Sequence, residues 1–218
     1  MGDMVLLPNS NILIINGASL VAAGWDLGCN PVFIPLICPP NNPVGLRFEA
    51  QNSSSIPRMY HSTAILLRDG CILVSGSNPH EYYNFTGVVF PTYLTMEAFS
   101  PDNLAPRLIR LRPMIVSPAS HSQIGYRQQL VINFRAQGRI NRGFITVTMV
   151  APPFTTHSFS MNQRLLVPTN SIGISASVTL GSNILAPSGY YLPFVVYREV
   201  PSQDILGSNQ VGKRDSTM

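Results

Sequence analysis

The sequence predicts an all-β protein, and its composition carries this prediction. Of 218 residues, 45% are hydrophobic and only 11% are charged, while 19 prolines and 16 glycines are spread along the chain. These turn formers separate short runs rich in valine, isoleucine, leucine, phenylalanine and tyrosine, which is the pattern of strands and turns. The chain is long enough to bury a core in one or two small domains.

Two segments of the first half share one layout of strand, tight turn, strand and glycine. They cover residues 4–17 and 64–76, a spacing close to the kelch blade period of about 50 plus an insertion. Asp69-Gly70 is a hairpin turn signal, and Asn9-Ser10 is a poorer version of it. We therefore predict the inner hairpins of two consecutive blades of a kelch-type β-propeller, with outer strands and loops from residues 25–57 and 91–101.

The residue pattern changes near Leu111, after which short apolar runs typical of strands alternate with turn residues. This pattern is typical of a β-sandwich. These strands are expected at residues 130–134, 143–150, 174–178 and 190–197. The polar end of the chain lacks a core pattern, so disorder is expected there. The predicted organisation is a partial propeller over residues 1–110, an immunoglobulin-like sandwich over 111–201 and a disordered tail over 202–218.

The cysteines and sequons give weaker indications. Three cysteines without C-x-x-C spacing argue against a zinc ribbon and allow one internal disulfide with one thiol left over, although free thiols are the more ordinary interpretation; they are Cys29, Cys38 and Cys71. Asn52 and Asn84 each begin an N-glycosylation sequon, which matters only in a secreted protein. The first residues have no basic region and no apolar run nears the roughly 20 residues of a membrane helix, so neither a signal peptide nor an anchor is visible.

Charge is placed unevenly along the chain. No acidic residue occurs between Asp102 and Glu199, whereas nine arginines fall in that stretch or at its end. No nucleic-acid-binding motif accompanies them, so solvated strand faces are the favoured interpretation and nucleic acid is not expected as a partner. The alternative is that this basic half retains the protein on an acidic cell-wall polysaccharide.

The dipeptide Tyr60-His61 combines two metal-ligating residue types just before an apolar run. Adjacent residues of a strand point to opposite faces of the sheet. The two side chains could therefore reach one ion only where the backbone bends, as at the rim of a barrel or propeller channel. His80 with the nearby Tyr82 and Tyr83 suggests either loop packing or a substrate mouth, Trp25 either packing or a place beside the site, and His121 a surface residue.

Several motifs in order resemble the C-terminal half of the glyoxal oxidases and galactose oxidases, the copper radical oxidases. They begin with residues 59–67 and 76–80, and continue with the Thr155-Thr156-His157-Ser158 and Asn162-Gln163-Arg164 segments. The resemblance covers about residues 1 to 200. It implies the last blades of a propeller followed by the immunoglobulin-like early-set domain of that family.

The resemblance also implies a site that holds one copper ion. In the family, two imidazoles and a cross-linked tyrosine bind copper in a plane, with a second tyrosine axial. Tyr60 matches the axial ligand and the catalytic base, His61 matches one imidazole, and His157 matches the other, on a loop of the early-set domain that threads the propeller channel. These donors suit Cu(II). The radical cofactor, a tyrosine linked to a cysteine, comes from earlier blades, and none of the three cysteines of this chain stands in a matching context.

Two hypotheses follow. The first is a fragment of a secreted copper radical oxidase that converts aldehydes of the glyoxal type into carboxylic acids while reducing O2 to H2O2, inactive without the blades that carry the radical cofactor. The second is a non-catalytic β-rich relic or cell-wall polysaccharide-binding protein.

Overall fold

The computed structural model describes residues 2–20, 22, 24–118, 122–138, 140–156, 159–172, 175–179, 185–203 and 209–211. Within these residues the regular structure consists of short β-strands with four short 3-10 segments. The 3-10 segments are Val44–Leu46, Asp102–Leu104, Pro106–Leu111 and Arg142–Phe144. The strands of the first part of the chain are β1 (Asp3–Leu6), β2 (Ile12–Ile15), β3 (Ala18–Leu20), β4 (Cys29–Pro31), β5 (Leu36–Cys38), β6 (Glu49–Ala50), β7 (Thr63–Leu66), β8 (Ile72–Ser75) and β9 (Met96–Phe99).

The second part of the chain is also built of strands. They are β10 (Met114–Ser117), β11 (Gln123–Ile124), β12 (Gln129–Arg135), β13 (Ile145–Ala151), β14 (Phe154–Thr156), β15 (Phe159–Met161), β16 (Arg164–Leu166), β17 (Thr169–Ile172), β18 (Ser175–Thr179), β19 (Gly189–Tyr197), β20 (Val200–Pro201) and β21 (Asn209–Val211). The all-β class and the strands predicted in both halves of the chain are thus confirmed.

The chain divides into two compact units that interleave along the sequence. Unit 1 contains Met1–Leu67, Cys71–Asp102 and Pro153–Gln163, and unit 2 contains Arg68–Gly70, Asn103–Pro152 and Arg164–Met218. The segment Pro153–Gln163, which comes from the second half of the chain, therefore belongs to the unit formed by the first half.

Unit 1 contains two larger antiparallel sheets built to one plan, beside the two-stranded β3–β4 and β14–β15 sheets. The first has the order β1-β2-β5-β6 and the second the order β7-β8-β9. The residue pairs of the β1–β2 ladder run from Asp3↔Ile15 to Leu6↔Ile12, and those of the β7–β8 ladder run from Thr63↔Ser75 to Leu66↔Ile72. The repeat predicted from the sequence therefore recurs at the level of strand register.

Period-two alternation explains why these segments are strands with one buried face. Leu13 and Ile15 are buried in β2, and Ile72 and Val74 are buried in β8, while the residues between them are half-exposed. These buried residues supply the apolar interior of unit 1. The described strands form separate small sheets and not a closed ring, so the propeller remains a prediction.

Unit 2 contains two sheets around one apolar core. One sheet has the order β10-β12-β18-β17, and the other has the order β11-β21-β19-β13-β16 with β20 beside β19. Buried side chains from both sheets contact one another, among them Ile115 and Ile132 from the first sheet and Val147, Met149 and Val195 from the second. Two sheets sharing a core are the arrangement of a β-sandwich.

The polar segment 202–218, for which the sequence predicts disorder, contributes a strand. β21 pairs antiparallel with β19 and parallel with β11. Backbone pairing along an exposed strand edge does not require apolar side chains, so a composition argument does not detect it. Residues 204–208 and 212–218 lie outside the described residues.

Candidate functional site

The two rings of Tyr60 and His61 lie side by side at a bend of the backbone. His61 has a φ of 60°, in the left-handed region that side-chain-bearing residues rarely adopt. The bend precedes β7, and the ring centroids are 3.9 Å apart with an interplanar angle of 39°. The structure thus brings together the phenol and imidazole of the sequence-predicted pair, at the kind of bend that a shared ion requires.

A hydrogen bond fixes the orientation of the His61 ring. Its Nδ1 lies 2.9 Å from the Asn78 carbonyl oxygen. Because a carbonyl only accepts hydrogen bonds, Nδ1 must be the protonated nitrogen, and the ring lone pair is then on Nε2. Metal-binding histidines commonly donate their second nitrogen to a carbonyl in this way, which makes Nε2 the candidate ligand atom.

A buried arginine anchors the segment that leads into this bend. Arg58 is 2% exposed and donates from Nε to Glu97 Oε1 at 2.9 Å. Its Nη1 donates to the carbonyl oxygens of Gly76 and Thr95 at 2.8 and 3.1 Å, and its Nη2 donates to Thr95 Oγ1 at 3.3 Å. A buried guanidinium is tolerated only when its donors are paired, and here they connect three separate stretches of chain.

The segment after β8 closes around the bend. Ser77 Oγ accepts a hydrogen bond from the Met59 backbone nitrogen at 2.9 Å, and the Asn78 backbone nitrogen donates to the Tyr60 carbonyl at 2.7 Å. Gly76 has a φ of 72°, and a Cβ built there would lie 2.9 Å from the His61 carbonyl oxygen. Glycine is required at this position because the His61 backbone passes so close to it.

The hairpin of β14 and β15 packs against the two inner strands of unit 1. β15 contacts β1, and β14 contacts β7, the strand that follows the Tyr60–His61 bend. Gln163 secures it, because its Oε1 accepts from the Leu6 backbone nitrogen at 2.8 Å and its Nε2 donates to the Met4 carbonyl at 2.7 Å. This side chain thereby satisfies two backbone groups at the outer edge of β1.

His157, the third sequence-predicted ligand, lies outside the described residues, as does His121. Nearby described residues, Thr156 and Phe159, pair with each other across the β14–β15 hairpin. The described residues of Pro153–Gln163 belong to the same compact unit as Tyr60 and His61. Among the described residues, no group of three or more His, Cys, Asp or Glu side chains is arranged to hold a metal ion.

A cleft of about 540 Å³ opens beside His61. His61, Ser77 and Asn78 line one part of it, and the loops that follow β8 supply the rest, including the lining side chains His80, Glu81, Tyr82, Tyr83, Thr92, Tyr93 and Leu94. We call this space the tyrosine cleft. The loop around His80 therefore packs locally and forms a wall of this cleft, and its role at a substrate mouth stays a prediction.

His80 ties two loops together. Its Nδ1 contacts the Asp26 carboxylate, and its Nε2 lies 2.8 Å from the Phe90 carbonyl oxygen. The Asp26 backbone nitrogen also donates to the Pro79 carbonyl at 2.7 Å. The loop bearing Trp25, which is 55% exposed, is thereby fixed beside the loop that lines the cleft.

The sequence pattern assigns no role to Arg58, to its partner Glu97, or to Ser77, which accepts from Met59. Arg58 stands in an otherwise apolar stretch just before Tyr60, and a charge in such a position signals a buried partner. The partner itself, Glu97, lies 39 residues away in the next outer strand. No local pattern connects the two.

Comparisons with known proteins agree with these two modules. The family model for the glyoxal oxidase N-terminus matches residues 1–103, and the model for the galactose oxidase-like early set domain matches residues 112–205. Together with the observed strands, these matches define an all-β chain with an early-set domain. The chain belongs to the glyoxal oxidase and galactose oxidase-like family.

Several curated relatives are named as oxidases. The chain is 46% identical over 215 residues to aldehyde oxidase GLOX1 of Arabidopsis thaliana, covering 93% of this chain and 34% of that protein. It is 42% identical to aldehyde oxidase GLOX of Vitis pseudoreticulata, with 93% and 39% covered, and 26% identical to a galactose oxidase of Gibberella zeae, with 86% and 27% covered. The chain spans about a third of the length of the plant relatives it matches. Along the described residues, the structure has no helix long and apolar enough to cross a membrane.

Proposed function

We propose that this chain is the C-terminal part of a copper radical oxidase that converts aldehydes into carboxylic acids and reduces O2 to H2O2. The observation that carries the proposal is the Tyr60–His61 bend, where a phenol and an anchored imidazole lie 3.9 Å apart between ring centroids. The relatives named as aldehyde oxidases support the substrate class. In this proposal the two sheets of unit 1 are the last kelch-type propeller blades.

The donors present fit part of a copper site. A phenol oxygen and an imidazole nitrogen suit Cu(II), and the hydrogen bond from His61 Nδ1 leaves Nε2 as the ligand atom. Tyr60, His61 and His157 would hold the ion. The chemistry supplied by such an ion, together with a radical cofactor from blades outside this chain, is the oxidation of an aldehyde hydrate with reduction of O2.

The residues of this chain have definable parts in that chemistry. Tyr60 Oη would act as the base that takes a proton from the substrate hydroxyl, since the Tyr60 ring lies beside that of His61. His61 would hold the ion through Nε2, with its ring oriented by the Asn78 carbonyl. Because the radical cofactor that acts as the second redox centre in the family would come from blades outside this chain, we expect no turnover by the isolated 218 residues.

A copper titration tests the site. Cu(II) added to the purified chain should give an electron paramagnetic resonance signal with two nitrogen ligands, and His61→Ala should remove one of them while Tyr60→Phe changes the signal without removing nitrogen couplings. His80→Ala is the matched control, because His80 has both ring nitrogens engaged by Asp26 and Phe90. A spectrum unaltered by His61→Ala would show that the bend is not a copper site.

A second candidate role rests on the distribution of charge. Unit 2 contains twelve of the 14 basic residues and four of the ten acidic ones, a formal net charge of +8, whereas unit 1 carries −4. We propose that unit 2 retains the secreted protein on an acidic cell-wall polysaccharide. Binding to immobilised polygalacturonate should be strong at low ionic strength and lost near 1 M salt, where the Debye length falls to about 3 Å. Salt-independent binding, or none, would exclude this role.

A further inference from the structure

A second hollow of unit 1 shares no lining residue with the tyrosine cleft. It has a volume of about 230 Å³, and both larger sheets contribute to it, with Ile15 from β2 and Phe99 from β9 among its lining residues. The segments around residues 32–35 and 52–56 form the rest of its wall. We call this hollow the inter-sheet groove. Neither Tyr60 nor His61 lines it, so the proposed copper chemistry does not account for it.

A modification sequon lies on the wall of this groove. Residues 52–54 form the sequon, and all three line the groove. The Asn52 side chain is exposed, and within the part of the chain that the structure describes its amide makes no hydrogen bond. The Ser54 backbone nitrogen donates to the Phe33 carbonyl oxygen at 2.9 Å, which fixes the sequon against the facing segment. An acceptor amide is thus held, with its nitrogen available, at the edge of a hollow.

The walls of the groove suit an uncharged, partly apolar occupant. Phe33, Ile56 and Phe99 line it, and Phe33 belongs to a run of three apolar residues, 32–34, that are between 36% and 49% exposed. Among the described lining residues Glu97 is the only charged one, and its Oε1 accepts from Arg58 Nε at 2.9 Å. The ring carbons and acetyl methyl of an N-acetylhexosamine are apolar, and their burial against such side chains is favourable.

We propose that Asn52 is N-glycosylated and that the first sugar of its glycan, an N-acetylhexosamine, occupies the inter-sheet groove against Phe33. The donor is an oligosaccharide on a polyprenyl diphosphate. A bond forms between Asn52 Nδ2 and C1 of the first sugar, the bond from C1 to the diphosphate oxygen breaks, the polyprenyl diphosphate leaves, and one amide proton is released. The modification goes beyond the proposed oxidase activity and rests only on the secretion proposed with it.

Peptide mass spectrometry tests the modification. The full chain is expressed behind a secretory leader in a eukaryotic host that makes high-mannose glycans, and we expect most of Asn52 to carry a glycan. Ser54→Ala should abolish it, whereas Ser53→Ala, the matched control, should keep it because the middle position of a sequon accepts any residue except proline. The glycan is transferred to the nascent chain, so cell extracts serve even where secretion is poor. An unmodified Asn52 would overturn the proposal.

A comparison of stabilities tests the position of the sugar. In an Asn84→Gln background, endoglycosidase H leaves one N-acetylglucosamine on Asn52, and this form should melt about 2–4 °C above the Asn52→Gln form. Phe33→Ala should reduce that difference to less than about 1 °C. Phe48→Ala should leave it unchanged, because Phe48 is an exposed ring of unit 1 that does not line the groove. No difference, or one that Phe33→Ala leaves intact, would overturn the placement of the sugar.

The acetyl methyl of the retained sugar gives a second measure of the same contact. Its proton resonance should be displaced by the Phe33 ring and should return to the position of a free glycan in Phe33→Ala, even in a variant without a sharp melting transition. An undisplaced resonance in the unsubstituted chain would count against the placement. None of these measurements uses copper, so their failure leaves the copper titration standing, and failure of the copper site leaves the glycan result standing.

Discussion

Asp3 begins the β1–β2 hairpin, and the equivalent residue of the β7–β8 hairpin is Thr63. Asp3 is fully buried, accepts one hydrogen bond from Asn16 Nδ2 at 2.7 Å, and its Oδ1 has no hydrogen-bond partner within the described residues. Burial, only partly offset by the Asn16 bond and the chain's first amino group, raises the pKa of this carboxyl from 3.8 to about 6. The charged form is therefore the unfavourable one in the folded protein.

Asp3→Asn is expected to stabilise the protein at pH 7. Since the folded pKa exceeds the unfolded pKa, the protonated acid favours folding below about pH 4, and this contribution is lost as the pH rises through 6. The substitution should raise the free energy of unfolding at pH 7 by roughly 2 kcal/mol and flatten its pH dependence between pH 4 and 7. Urea unfolding at both pH values measures this, with Glu49→Gln as control. A destabilised Asp3→Asn at pH 7 would contradict it.

Arg58 and Glu97 differ in what their removal leaves behind. Arg58→Lys keeps the charge but cannot reach Glu97 and two carbonyl groups together, so buried acceptors lose their donor, at a cost of about 3 kcal/mol. Glu97→Gln keeps an acceptor on a side chain that is 38% exposed and should cost about 1 kcal/mol or less. Chemical denaturation gives both values; equal costs would mean that Arg58 does not act through the carbonyl groups.

Two hairpin turns, β1–β2 and β7–β8, have the same geometry with different residues. Leu7 N donates to Asn11 O at 2.9 Å in the β1–β2 turn, and Leu67 N donates to Cys71 O at 2.8 Å in the β7–β8 turn. The left-handed position is Ser10 in the first turn, with φ 70°, and Gly70 in the second, with φ 86°. The chain thus contains its own comparison of serine with glycine at one turn position.

Reciprocal substitutions should have opposite effects on stability. Ser10→Gly removes a left-handed penalty of about 1 kcal/mol and loses part of that to backbone entropy, so a gain of a few tenths of a kcal/mol is expected. Gly70→Ser should cost about 1–2 kcal/mol, because its Cβ also lies 3.3 Å from Leu104 Cδ1. Thermal unfolding measures both. If both substitutions shifted stability in the same direction, the turns would not be equivalent.

Local sequence patterns made the strands and hairpins predictable. They did not predict the contacts between segments that are far apart in the chain, and this has a physical cause. The sixty-residue recurrence and the Asp69-Gly70 signal predicted both hairpins, since turn chemistry and period-two alternation act over a few residues. The attachment of β14 and β15 to β1 and β7 depends on pairings about 90 to 160 residues apart in the chain, such as Gln163 with Leu6. The Tyr60–His61 bend was deduced as a requirement, but the Asn78 and Arg58 contacts that hold it depend on the fold.

At the scale of the molecule, unit 1 leaves large apolar side chains uncovered. Trp25, Val44, Leu46 and Val89 are between 55% and 85% exposed. Exposed apolar groups in such number are typical of surfaces that other parts of a protein cover. They fit the proposal that further blades belong beside these sheets, and they lead us to expect poor solubility of the isolated chain.

Cutting the chain at residue 110 is not expected to yield two separately folded units. Residues 1–110 expressed alone lack Pro153–Gln163, which belongs to unit 1. We expect this fragment to be less soluble than the full chain, and co-expression with residues 111–218 to restore the solubility of the full chain. A version of 111–218 in which residues 153–163 are replaced by a glycine-serine linker should not rescue it. Solubility and co-purification decide the matter, and a stable, soluble fragment 1–110 would contradict the expectation.

Gln163 also sets an order of events during synthesis. On a ribosome that adds about 5–20 residues per second, β1 emerges roughly 8–30 s before Gln163, which lies 157 residues after Leu6 and pairs with the outer edge of β1. In that interval the edge is open to another nascent chain on the same messenger RNA. Chaperone dependence of this protein should therefore be greatest in the window between completion of β9 and emergence of residue 163.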